Sequence, residues 1–261
     1  VTAALAGVCA LFGLAIGSFL NVVVYRVPRQ LSIVAPPSAC PNCQHPIRPR
    51  DNVPVLSWVL LAGRCRDCRH RISARYPAVE LATALLFAGA AWRLGRSWEL
   101  PAYCVLLAGL LALALIDLET MTLPRSIVWV HLGLVAVLLT VASAATGQWR
   151  DLVVGAGCGL AWSGVYLAMF LVSPRLIGFG DVRLALVLGL ALGYLDLAYA
   201  GLGFFLANLL GLGTTMVLIA TRRMHRSQPV PYGVFLAAGT ALVFYLGPWL
   251  ARPFHYPYFW A

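Results

Sequence analysis

The sequence contains no lysine: all 19 of its basic residues are arginine. That absence reads as codon bias and carries no mechanism. Charge of either sign is scarce. Charged residues make up 11% of the chain, against about 25% in soluble domains. This shortage excludes an ordinary soluble domain with a large core. There is no glycine-rich nucleotide fingerprint, no internal repeat at a fixed period and no low-complexity tract. The first uncharged run, Val1 to Tyr25, has no basic n-region and is longer than a signal-peptide core. It is expected as a retained first span.

What is present is apolar sequence, at 61% of residues. Uncharged runs long enough for a hydrocarbon core of about 30 Å recur along the chain. Eight are read as spans, roughly 3–25, 77–92, 100–117, 126–146, 152–172, 183–200, 201–221 and 232–250. The fold class is therefore all-α, a polytopic membrane helical bundle of about eight transmembrane helices. Glycines within the runs, such as Gly155, Gly157, Gly159, Gly201, Gly203, Gly211 and Gly213, let helices approach closely.

The net charge of +10 could signal nucleic acid, but the placement of the arginines argues for topology and against a nucleic-acid partner. With the N-terminus outside, the segment 26–75 with its nine arginines is cytoplasmic, joined by Arg125, Arg175, Arg183, Arg222, Arg223 and Arg226. Only Arg93, Arg96, Arg150 and Arg252 fall outside. Fifteen against four is a positive-inside signal. The basic group Arg222, Arg223 and Arg226 reads as an anchor to anionic lipid.

The domain plan is a first span over 1–25, a loop domain over 26–76 and a helical core over 77–261. The loop domain is too small for an ordinary core and needs a staple. Four of the seven cysteines lie in it, as Cys40-Pro41-Asn42-Cys43 and Cys65-Arg66-Asp67-Cys68. Two such pairs have the spacing of a structural zinc site, with no open position for chemistry. Disulfides or a redox pair are the rival reading, which a reducing cytoplasm disfavours. His45 and His70 are alternative ligands or bystanders. Cys9, Cys104 and Cys158 read as packing residues.

Only nine residues are acidic. Asp117 ends an apolar run, and Asp181 follows Gly178-Phe179-Gly180 and begins another. Ionisable groups at membrane depth are costly and tend to be functional. Two carboxyls brought together cannot easily both ionise, so one can activate water while the other polarises a carbonyl. The glycines before Asp181 allow a sharp bend and a close approach. Each aspartate alone could equally be a solvated interfacial charge.

In combination these features resemble the type IV prepilin leader peptidases, a bacterial GxGD aspartyl class. The likeness runs through Gly17-Ser18-Phe19-Leu20-Asn21 to Arg26-Val27-Pro28, the two CxxC pairs, Asp51-Asn52-Val53-Pro54 and Ser57-Trp58. It continues through Arg75-Tyr76-Pro77-Ala78-Val79-Glu80, Ile116-Asp117 with Leu123-Pro124, and Gly178-Phe179-Gly180-Asp181. It departs at Arg125, where Asp is common, at Arg183 for Lys, and at Pro231-Tyr232-Gly233-Val234, where Pro-Phe-Gly-Pro is common.

The resemblance implies a catalytic pair at Asp117 and Asp181, with Gly178 and Gly180 as motif glycines. It also implies cleavage of a basic leader after a Gly in prepilins or pseudopilins, at the cytoplasmic face of the bacterial inner membrane. Many members then N-methylate the new N-terminus from S-adenosylmethionine. Ser18, Asn21 and Glu80 are candidates for substrate or methyl-transfer contacts; the competing roles are helix hydrogen bonds for the first two and an ion pair with Arg75 for Glu80. Glu119 is expected to face water, His131 to make a hydrogen-bonded helix contact, and Asp196 to be a loop charge. A peptidase without methyltransferase activity, a proton-coupled transporter using the same aspartates, and a silent membrane scaffold are the alternatives.

Overall fold

The computed structural model describes residues 2–174, 177–223, 225 and 230–255. Arg175 and Arg226, two of the inside arginines, lie outside these. Among the described residues regular structure is all helical: α1 (Thr2–Arg26), α2 (Leu56–Leu60), α3 (Arg75–Leu94), α4 (Leu100–Thr120), α5 (Arg125–Thr146), α6 (Trp149–Val172), α7 (Phe179–Leu195), α8 (Leu197–Ala220) and α9 (Tyr232–Leu250). Eight of these are long, and they stand where the eight apolar runs were read.

Six are long and apolar enough to cross a membrane: α1, α4, α5, α6, α8 and α9. The other two long helices have evident reasons for falling short. α3 carries Arg75, Glu80 and Arg93 in its 20 residues. α7 has only 17 residues, of which 12 are buried. A helix apolar all round and enclosed by neighbours is a core helix.

α7 and α8 each begin four residues earlier than the apolar runs suggest. Local capping decides this. Asp196 is the N-cap of α8, its Oδ1 accepting the Ala198 N–H at 2.7 Å, and is not a plain loop charge. An Asp there satisfies a backbone donor that the helix leaves orphaned.

The chain divides into two compact units, Val1–Arg96 and Ser97–Ala261. In the first, α1 lies against α3 with backbones nearly touching. A Cβ at Gly13 would stand 2.6 Å from Ala84 Cα, and one at Gly17 would stand 2.7 Å from Glu80 Cα. In the second, α7 is the axis. Gly159 of α6 faces the Leu186 carbonyl, and Gly189 of α7 faces the Cys158 carbonyl. Gly157, Gly201 and Gly213 meet nothing within 4 Å, so close packing accounts for only part of the glycine content. Polar ties complete the seating of α7. Tyr103 donates to the Ala191 carbonyl at 2.6 Å, Ser163 to the Val182 carbonyl at 3.0 Å, and Ser143 pairs with Tyr194 at 3.1 Å.

The loop between α1 and α3 holds two copies of one knuckle. In the first, the Gln44 N–H reaches the Cys40 carbonyl at 2.9 Å and the Cys40 N–H reaches the His45 carbonyl at 3.0 Å. In the second, Arg69 and Cys65 repeat this with Cys65 and His70 at 3.1 and 2.8 Å. Gln44 and Arg69 both sit at φ 59°. The duplication is short and its copies differ in sequence, so no fixed period betrays it.

Candidate active site

Asp117 lies one turn before the end of α4, where the Met121 N–H closes the helix on the Asp117 carbonyl at 2.9 Å. It is 4% exposed, so it is no solvated interfacial charge. Its Oδ2 is buried without a hydrogen-bond partner among the described residues. The backbone N–H groups of Gly233 and Val234, in the first turn of α9, face its carboxylate. Partial positive charge at a helix N-terminus favours an anion there.

Asp181 is in the first turn of α7 and is 7% exposed. Its Oδ2 accepts the Gly178 N–H at 3.0 Å, and its own N–H donates to the Gly178 carbonyl at 3.0 Å. This reciprocal pair fixes both the start of the helix and the direction of the carboxyl. The fold brings the two aspartates together, close enough for direct electrostatic interaction.

Leu123, in the turn between α4 and α5, is the wedge that sets this approach. A Cβ at Gly180 would stand 2.8 Å from Leu123 Cβ. One at Gly233 would stand 3.1 Å from a Leu123 methyl and 3.0 Å from Asp117 Oδ2. Gly180 is therefore required for space. Gly178 sits at φ −77° and ψ 149°, a conformation open to any residue, so the bend before Asp181 does not need glycine.

A half-buried polar network adjoins Asp181. Tyr232 donates to Asn208 Oδ1 at 2.5 Å, and Asn208 Nδ2 donates to the Tyr166 hydroxyl at 2.9 Å and the Phe204 carbonyl at 2.7 Å. Tyr166 and Tyr232 both lie within electrostatic reach of Asp181. Leu123, Gly233, Asn208 and Tyr166 were not singled out as site residues in the sequence. The available signal was Asn208, a lone amide in an apolar helix.

Other expected residues fall elsewhere. Glu119 is exposed. His131 is buried against Gly109 of α4, with the Leu106 and Val105 carbonyls facing its ring, a contact between helices as expected of it. Arg125 is the exposed first residue of α5.

In the first unit, Asn21 Nδ2 donates to the Gly17 and Tyr76 carbonyls at 3.3 and 3.2 Å, the second of which links α1 to α3. Glu80 is buried, and its Oε2 accepts the Val55 N–H at 2.7 Å. Ser18 lines a cavity of about 350 Å³ with Ser38 and Asn52.

The four loop cysteines converge, with their sulfurs all within 4.8 Å of one another. Cys40 and Cys68 sulfurs are 3.7 Å apart, and those of Cys43 and Cys65 are 4.0 Å apart. A tetrahedral ion with metal–sulfur bonds of about 2.3 Å spaces its ligands about 3.8 Å apart, whereas a disulfide requires about 2.05 Å. The cluster therefore fits a metal ion, and His45 and His70 stay out of it.

The His70 backbone N–H, then the Asn42 amide, hold the Cys68 thiol down to about 6. At Cys43 the His45 N–H pulls down, but burial and the neighbouring thiols outweigh it and push the group up to about 12. Four adjacent sulfurs cannot all be thiolates without a cation. Arg66 clamps Asp51 with bonds of 2.6–3.0 Å, and Arg48 reaches Asp67 at 3.2 Å. These pairs tie the second knuckle to residues 48–51.

Residues 11–94 match the bacterial peptidase A24 N-terminal domain, and residues 104–246 match the type IV leader peptidase family. A prepilin leader peptidase/N-methyltransferase of Bacillus subtilis is 35% identical over 91% of this chain and 92% of its own. Proteins of the same name from Aeromonas hydrophila and Pseudomonas aeruginosa are 37% and 33% identical. They cover 87% and 94% of this chain, and 86% and 91% of their own. No solved structure matches. With both halves matched and relatives aligned over most of their length, the chain belongs to the type IV leader peptidase family and is an aspartyl enzyme of the prepilin peptidase kind.

Proposed function

We propose that this protein cleaves the short basic leader of type IV prepilins or pseudopilins after a Gly, and that Asp117 and Asp181 are its catalytic pair. The observation that carries this reading is the convergence of two buried carboxyls from α4 and α7 on the Leu123 wedge. With one proton shared between them, the ionised member takes a proton from water as it attacks the scissile carbonyl. The protonated member polarises that carbonyl and later protonates the leaving amine.

Asp181 is the better anchored of the two through Gly178, while Asp117 retains an unfilled acceptor at Oδ2 for water or the shared proton. Asp117→Asn and Asp181→Asn should each lower cleavage of a co-expressed prepilin by about 10²–10⁴-fold or more, read as the mass of its N-terminus. Wild-type cleavage by either variant removes that residue from the mechanism.

The Zn²⁺ reading of the cysteine site rests on the sulfur spacing and the doubled knuckle. Bound zinc supplies folding free energy to a loop too small for its own core. The arginine distribution supports a cytoplasmic side for the loop and, separately, for the two aspartates at the inner membrane. N-methylation of the processed product from S-adenosylmethionine is carried over from the names of the relatives, with Ser18, Asn21 and Glu80 as candidate contacts. Transfer of labelled methyl to processed prepilin tests it, and its absence leaves a leader peptidase alone.

A further inference from the structure

We infer that residues 52–60 of the loop form a re-entrant element, and that α2 lays the side chains of Leu56, Val59 and Leu60 against lipid acyl chains. The inference needs only that α1 spans the membrane. It is independent of which residues cleave.

The first observation is α2 itself. Leu56, Val59 and Leu60 fall at i, i+3 and i+4, one face of a helix. They are 53%, 60% and 75% exposed. The opposite side is used: Ser57 accepts the Val53 N–H at 3.0 Å and donates to the Arg50 carbonyl at 3.1 Å, and Trp58 donates to the Ile72 carbonyl at 3.1 Å. An apolar stripe on a helix whose other face is bonded into a loop needs an apolar partner.

The second observation is depth. The helix is tethered at its start, where the Val55 N–H bonds Glu80 Oε2 at 2.7 Å. Glu80 packs against Gly17 of α1, which lies nine residues before Arg26, the end of that helix. Nine residues of α-helix rise about 13.5 Å. A headgroup layer is about 7 Å thick. Even with Arg26 at its outer rim, Gly17 is several ångström inside the hydrocarbon. The loop runs beside this part of α1, where Asn52 and Pro54 line one cavity with Ala15, Ser18, Phe19 and Val22. Non-helical backbone is tolerated at such depth where it is buried in protein or lines a wet cavity. Ser18, Ser38 and Asn52 give this one polar walls.

The third observation is the turn that aims α2. Val55 sits at φ 60° and ψ −51°, with the Leu56 N–H on the Pro54 carbonyl at 2.6 Å. This is a γ-turn of the rare positive-φ kind, unusual for a β-branched residue. Such backbone persists only where its surroundings over-determine it, and here the Glu80 carboxylate holds its N–H. Nearer the surface a second apolar tip, Ile33–Val34, is folded against the end of α1 by Arg26, which donates to the Ser32 and Pro36 carbonyls at 2.9 and 2.7 Å. Val34 is 86% exposed.

The test uses the full-length protein in vesicles of phosphatidylcholine and phosphatidylglycerol containing lipids brominated near the top of the acyl chain. A small fluorescent amino acid is placed at Leu60 in one variant and at exposed His45 in another. Unchanged metal content verifies the fold of both. The fluorophore at 60 should be blue-shifted and quenched at least twofold by bromine, while that at 45 should not respond. Equal response at the two positions overturns the proposal. If the stripe instead receives an apolar segment of a substrate, position 60 stays unquenched in vesicles alone. It then crosslinks to added prepilin through a photoreactive group, which also overturns the lipid assignment.

Discussion

Replacing Gly180 by alanine should damage the enzyme through geometry alone. The added methyl would stand 2.8 Å from Leu123 Cβ, and 3.4 and 3.5 Å from its Cδ1 and Cγ. Carbon atoms at contact are about 3.5–4.0 Å apart, so some 0.7 Å or more must be found. Rotating Leu123 cannot supply it, because Cβ is fixed to the backbone. The start of α7 must therefore move, carrying Asp181 with it. Overpacking of this kind costs about 1–3 kcal/mol, and a misplacement of about 1 Å can cost about 10²-fold in rate.

Leader cleavage should accordingly fall on the order of 10²-fold while the helical content of the purified protein is unchanged. Gly178→Ala should be milder, since its backbone suits alanine and its methyl would stand 3.2 Å from Asp181 Oδ2 and 3.9 Å from the Gly180 nitrogen, a much smaller overlap than the 2.8 Å at Gly180. Leu123→Gly, which removes the opposing Cβ, should recover part of the loss when combined with Gly180→Ala; the coupling is read from a double-mutant cycle. Wild-type turnover in Gly180→Ala, or a greater loss in Gly178→Ala, would refute the wedge.

Single replacement of Cys40, Cys43, Cys65 or Cys68 by serine should lower the zinc content of purified protein from about one per chain toward none, measured by elemental analysis under reducing conditions. Tyr232→Phe leaves Asn208 Oδ1 without its donor inside the bundle and should destabilise the protein by about 1–3 kcal/mol, seen as a lower Tm in detergent. Arg66 holds the Asp51 carboxyl below the usual carboxylate range. The folded loop therefore gains stability from this pair above about pH 4, the unfolded Asp value, and loses it as pH falls through the lower folded value. Asp51→Asn should thus release metal to a chelator faster than wild type at neutral pH. The difference should vanish in acid, and a difference that grew with acidification would contradict the sign.

The sequence by itself determined the helices, because long uncharged runs in lipid have one economical way to satisfy their backbone. It also determined the cysteine cluster, since a CxxC knuckle is a local structure and two of them make a site. The aspartates could be named but not judged. Alone, Asp117 reads as well for a hydrated helix end as for a buried acid, and its 4% exposure depends on α9 and on Leu123, far along the chain or across a turn.

The same holds for Gly180 and Gly233, whose need for glycine lies in the distance to Leu123 and not in their own backbone angles. Asn208 and Tyr232 are polar residues whose partners are on other helices, and no periodicity within α8 or α9 points to them. Glu80 shows the limit most plainly. Its carboxylate accepts a backbone N–H 25 residues earlier, and no spacing in the sequence points to that donor. Patterns of period and spacing fix what a segment becomes, whereas the residues that meet across segments are chosen by packing, which no single segment encodes.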